Sequence, residues 1–163
     1  MPIDFFPERC KTASNDLEFG LCDDTPNSPA YIDESDRSKW IGIVKNPGEK
    51  KAEFYAIDNC VEIKRPNGED ESRCDGVLKE STNLIFVELK ERGSSGWFKK
   101  GREQLTITID IFKNNHEITN FSSIRAFVCN KLKPSSNSGR AANIQQFFDE
   151  TGFILKDKQE ITI

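Results

Sequence analysis

Two carboxylates and an ammonium are closely spaced in this chain: Asp75, then after twelve residues Glu88-Leu89-Lys90. Ile85, Val87 and Leu89 alternate with Phe86, Glu88 and Lys90, the period of two that a strand imposes. Glu88 and Lys90 therefore share a face, roughly 6–7 Å apart along the strand. Lys79 to Asn83 is polar turn sequence, so the chain folds back and sets Asp75 beside Glu88 across a ladder. Two hard carboxylate oxygens suit Mg²⁺, which keeps several waters. Such an ion lowers the pKa of a bound water and offsets charge on a phosphoryl group in flight. A neighbouring lysine positions or deprotonates the attacking water, or stabilises the pentacovalent phosphate. The competing reading of Glu-x-Lys is a solvated ion pair contributing under about 1 kcal/mol. Asp75 upstream, and a run from Ile85 to Leu89 too apolar for an edge strand, weigh against it.

The elements that must hold these groups follow from turn signals and periodicity. Trp40 to Val44 reads as a strand, and Glu53 to Lys64 as a longer one with a bulge or break at Asp58-Asn59. Asn46-Pro47-Gly48 and Pro66-Asn67-Gly68 make turns, so the chain from Trp40 to Lys90 is expected to meander antiparallel. Glu62 then neighbours Asp75, either as a further metal ligand or as a cross-strand partner of a Lys or Arg. Glu91 to Gly96 is a polar loop, and Thr106 to Phe112 alternates Thr and Ile as a strand does. His116 is expected in a loop. Ser123 to Asn130 is a strand and Lys131 to Ser138 a loop. Gly139 to Thr151 is a helix with Ala142, Ile144, Phe147 and Phe148 as its apolar stripe, ended by Gly152. Phe153–Leu155 and Ile161–Ile163 suggest a terminal strand pair. The first 38 residues are the least regular, with a short helix around Pro7 to Leu17 and a loop from Cys22 to Ser38.

Asp75 and Glu88-Leu89-Lys90 together resemble the PD-(D/E)XK nuclease superfamily of restriction enzymes, junction resolvases and RecB-type nucleases. The resemblance is carried by motifs and covers roughly residues 60 to 131; Cys74 stands where the family name has Pro. It implies that Asp75 and Glu88 are metal ligands, joined by the backbone carbonyl of Leu89, and that Lys90 is the catalytic lysine. It also implies an active-site amide at Gln104. That requires a helix over about 97 to 114, against the strand-like alternation, with Leu105, Ile109 and Phe112 packed on the sheet. Lys99, Lys100 and Arg102 then lie near the helix start, where they would hold substrate phosphates. A helix with another acidic ligand often precedes such a core; Glu8 and Glu18 are the available candidates. The implied fold is α/β, a central mixed β-sheet flanked by helices with a restriction-endonuclease-like core. The whole chain, 1–163, would be one nuclease-like domain, with 1–38 a poorly defined extension and 40–131 the core.

Length and composition agree with a single soluble domain. The chain has 163 residues, 31% charged and 36% hydrophobic, enough to bury about two-thirds of its unfolded surface. No apolar run reaches the ~18 residues of a membrane span, and the N-terminus lacks a signal-peptide pattern. Five scattered cysteines without a Cys-x-x-Cys argue for reduced thiols in the cytoplasm. A net charge of −4 argues against a globally basic nucleic-acid coat. Basic residues nevertheless cluster at Lys99-Lys100-Gly101-Arg102 and around Lys131, Lys133 and Arg140. The expectation is a Mg²⁺-dependent endonuclease, with Mn²⁺ able to substitute, acting on DNA rather than RNA, as a homodimer or through a delivering protein partner. The alternative is a nuclease-like fold without catalysis, kept for nucleic-acid binding or assembly.

Overall fold

The computed structural model describes residues 2–24, 26–93, 95–132 and 139–163. In chain order the strands and helices are β1 (Lys11–Ser14), β2 (Glu18–Cys22), β3 (Tyr31–Asp33), β4 (Gly42–Lys45), β5 (Ala52–Ala56), β6 (Gly76–Glu80), β7 (Asn83–Lys90), α1 (Trp97–Asn115), β8 (Ser123–Asn130), α2 (Arg140–Thr151), β9 (Ile154–Lys156) and β10 (Glu160–Thr162). They form an α/β fold with two mixed sheets. The larger runs β1-β5-β6-β7-β8-β9 and the smaller β10-β4-β2-β3.

The hairpin β6–β7 is the centre of the larger sheet. Gly76 pairs with Val87 and Glu80 with Asn83, leaving Ser81 and Thr82 as the loop, with positive φ at Ser81. The strand β7 is apolar on both faces because both are covered. Leu84 and Phe86 pack with Leu105, Ile109 and Phe112 of α1, while Ile85, Val87 and Leu89 pack with Phe19, Leu21 and Val44 of the smaller sheet. Each such side chain contributes about 1.5–3 kcal/mol. After β7 the chain crosses over through α1 to β8, parallel to β7, and through α2 to β9, parallel to β8.

The segment from Thr106 to Phe112 is helical despite its β-branched alternation. Thr106 and Thr108 turn their hydroxyls back to the carbonyls of Arg102 (2.9 Å) and Gln104 (2.8 Å). Burial of Leu105, Ile109 and Phe112 at helical spacing then outweighs propensity. At Gly101 the helix comes close to the sheet: a Cβ there would lie 2.9 Å from both Val128 methyls and 3.5 Å from Glu88 Cγ. His116 follows the helix, stacked on Phe112, and its Nε2 accepts from the Phe5 N–H at 3.2 Å.

Several expectations change. The strand β5 ends at Ala56, well short of Lys64, because the chain turns through Asp58 and Asn59, whose φ is 64°. The strand β4 pairs antiparallel with β2 and parallel with β10, so the antiparallel meander is limited to β5, β6 and β7. The terminal strands form, but β9 joins the larger sheet and β10 the smaller one, and they do not pair with each other. Pro7 to Leu17 is not an α-helix. It is a single 3₁₀ turn, Glu8–Cys10, leading into β1, and the stretch expected to be loop contains β3. The cysteines are not all reduced: Cys10 and Cys60 form a disulfide, while Cys22, Cys74 and Cys129 are free and buried. Lys133 and the rest of 133–138 lie outside the described residues. Among the described residues no helix is long and apolar enough to cross a membrane.

Candidate active site

The hairpin register sets Asp75, one step beyond the Gly76–Val87 pair, opposite Glu88. Both belong to the face that α1 covers, as does Lys90 two residues on. All three are buried, at 7%, 3% and 6% exposure. The ladder between β6 and β7 ends at Gly76, and carboxylates complete it. Leu89 N–H donates to Asp75 Oδ2 at 2.7 Å, and Asp75 N–H donates to Glu88 Oε1 at 3.1 Å. Leu89 thus enters the site through its N–H. Glu88 Oε2 lies 3.0 Å from Lys90 Nζ, which donates to Gln104 Oε1 at 2.8 Å. Thr108 accepts from Cys74 N–H at 2.8 Å, and Lys131 N–H donates to the Lys90 carbonyl at 2.9 Å. The helix therefore fixes one carboxylate through Thr108 and the lysine through Gln104.

These groups line a cleft of about 320 Å³, joined by Asp23, Asp58, Arg92 and Lys100. Asp23 follows β2 of the smaller sheet, so the cleft spans both layers. Burial, then the charges of Glu88 and Asp23, push the Asp75 carboxyl well above the usual carboxylate range. Burial raises Glu88 as well, opposed by Lys90, and burial raises Asp23, whose carboxyl is within hydrogen-bonding reach of Asp75. Crowded, desolvated carboxylates of this kind are relieved by a cation.

The other expected residues separate. Gln104 and Lys100 line the cleft, whereas Lys99 is exposed and does not. Arg102 does not line the cleft. It is buried against α2, with Nε donating to Asn143 Oδ1 at 2.7 Å and Nη1 lying 3.8 Å from Glu150. Glu62 does not line it either: its side chain is 77% exposed and faces Lys64 at 3.9 Å. Glu18 is paired with Arg37 and Lys45, and Glu8 with Lys11 at 2.8 Å, so neither reaches the site. Sequence reasoning missed Asp23 and Asp58. Asp23 had a visible signal, an acidic residue ending an alternating apolar run (Phe19, Leu21), but the Asp- and Pro-rich stretch after it read as loop. Asp58 pairs with Arg73 at 3.2 Å.

Among the described residues no group of three or more His, Cys, Asp or Glu side chains is arranged as a ready-made metal centre. Two carboxylates with water and substrate oxygens are nonetheless the usual donor set for Mg²⁺, and Asp75 with Glu88 fits it. Compared with known proteins, the chain matches no protein-family profile, no curated protein and no solved structure.

Proposed function

We propose that this protein is a Mg²⁺-dependent nuclease that hydrolyses DNA phosphodiester bonds, with a restriction-endonuclease-like core formed by β5, β6, β7, α1 and β8. The observation that carries the reading is the meeting of Asp75, Glu88, Lys90 and Gln104 in one open cleft. A salt bridge needs only two of these groups. A second carboxylate pressed against the first has an evident use when a divalent cation joins them.

In this reading Asp75 and Glu88 would hold Mg²⁺ or Mn²⁺, in a cleft that Asp23 also lines. When bound, the ion supplies an acidified water and neutralises charge on the phosphoryl oxygens. Lys90, aimed by Glu88 and Gln104, orients the attacking water and stabilises negative charge building on the phosphate. Lys100 and Arg92, at the mouth of the cleft, attract the phosphate backbone. Sequence choice would come from loops, a second copy or a delivering protein.

The test is incubation of supercoiled plasmid with wild type and Lys90→Ala, with Mg²⁺ or Mn²⁺ and with chelator. Metal-dependent cutting that vanishes in the variant supports the enzyme. Absence of cutting together with absence of divalent binding in calorimetry rejects it in favour of a binding or assembly module.

A further inference from the structure

At the other end of the space between the two sheets lies a second pocket, of about 220 Å³. This is smaller than the roughly 300–1,000 Å³ of pockets for drug-sized ligands, so it suits a small group. Its floor is apolar, formed by Leu78 and Ile85, and its wall carries Arg125, Lys50 and Ser123. Arg125 sits on β8 in register with Ile85 of β7. Lys90, by contrast, is five residues further along β7, about 17 Å from there. The two pockets are therefore separate.

Arg125 is partly buried, with its guanidinium carbon 5.7 Å from the Phe127 ring centroid. Of its five N–H donors, Nη2 reaches the Thr162 carbonyl at 3.4 Å, a long bond. No carboxylate among the described residues lies within ion-pair distance of it, and burial alone depresses its pKa. A guanidinium partly withdrawn from water, with no carboxylate in contact, leaves donors available to an anion. Glu80, the one acidic side chain in the lining, is held by Asn83 Nδ2 at 2.9 Å and makes no ion pair with Arg125.

We propose that this pocket binds a phosphate group, gripped by the guanidinium fork of Arg125 with the Lys50 ammonium and the Ser123 hydroxyl as further donors. The planar fork matches two oxygens of a phosphate at once. The proposal is independent of the nuclease reading, because no cleft residue takes part.

The experiment is titration calorimetry of the full chain with inorganic phosphate at constant ionic strength in chloride. The proteins are wild type, Arg125→Gln, Lys50→Gln and, as control, Lys158→Gln, an exposed lysine that lines neither pocket. Saturable one-site binding is expected in wild type and Lys158→Gln, weakened at least about tenfold in Arg125→Gln and less in Lys50→Gln. A nucleoside 5′-monophosphate and a dinucleotide phosphodiester identify the source: binding of the monoester alone points to a small phosphorylated molecule, binding of the diester to a nucleic-acid strand. No saturable phosphate binding in wild type overturns the proposal, as does wild-type affinity in both pocket variants. Should Arg125→Gln fail to fold, Lys50→Gln decides, since Lys50 is exposed.

Discussion

Replacing Lys90 by Met separates two consequences of one ion pair. The ammonium touches Glu88 Oε2 at 3.0 Å and Gln104 Oε1 at 2.8 Å, with both charged residues nearly inaccessible to water. Methionine keeps the length and apolar stem but leaves Glu88 beside Asp75 with no positive neighbour in contact. Removing one partner of a buried pair costs about 3–5 kcal/mol, against the 0–1 kcal/mol of an exposed pair. The burial of Glu88 and Lys90 puts this pair in the first class. Urea denaturation followed by tryptophan fluorescence, with Trp40 and Trp97 both buried, measures the loss. Millimolar Mg²⁺ should return part of it, and more than it adds to wild type, because the ion supplies the missing positive charge. Plasmid cleavage should fall by about 10²–10⁴-fold. A stability loss below about 1 kcal/mol, or one indifferent to Mg²⁺, would refute the picture of a buried pair at a cation site. Unimpaired cleavage would remove Lys90 from the chemistry.

Asp75→Asn should abolish metal-dependent cleavage, by at least about a hundredfold, while raising the metal-free melting temperature at neutral pH. The folded-state pKa of Asp75 is raised, so folding loses stability as pH climbs above the ordinary carboxylate range, and asparagine removes that ionisation while still accepting from Leu89 N–H. Cys10→Ser, or reduction with dithiothreitol, should lower unfolding free energy by about 4 kcal/mol, the chain-entropy figure for a bridge spanning 50 residues; equal denaturation midpoints with and without reductant would contradict it. Burial lowers the pKa of His116 below its ordinary 6.5. Its contribution is therefore present above that value and lost as pH falls through it, because an imidazolium cannot accept from Phe5 N–H. Urea midpoints should decline below about pH 6.5 in wild type and less steeply in His116→Gln.

The central hairpin was readable because its determinants are local: alternating Ile85, Val87 and Leu89, a polar reversal, and strand partners only a few residues apart. The same holds for Ser123–Asn130 and for α2, whose stripe and terminal Gly152 lie within one segment. The helix α1 was readable only through the resemblance, because Thr–Ile alternation signals a strand. What decided it was burial against β7 and β8 and the close approach at Gly101, which depend on tertiary structure. The smaller sheet was legible only in part: the strands read at Trp40 to Val44 and Ile161–Ile163 overlap β4 and β10, whereas β2 and β3 were not read. Its strands have three to five residues, and β4 finds β10 from the far end of the chain. Asp23 was hidden for the same reason, since its place in the cleft follows from how the layers stack. The disulfide escaped because one bridge among five cysteines has no spacing pattern, and Arg102 misled because a basic residue one position from the correct helix face points at another helix.

Asp23 is delivered by one layer and Asp75 with Glu88 by the other, while Asn59 ties the intervening backbone through the carbonyls of Pro26 and Ser28. A divalent ion held by Asp75 and Glu88 would offset their repulsion with Asp23 and so draw the two layers together. Amide hydrogens of β2 and β4, far in sequence from the hairpin, would then exchange more slowly when it is present. Catalytic competence and the cohesion of the two halves would rise and fall together.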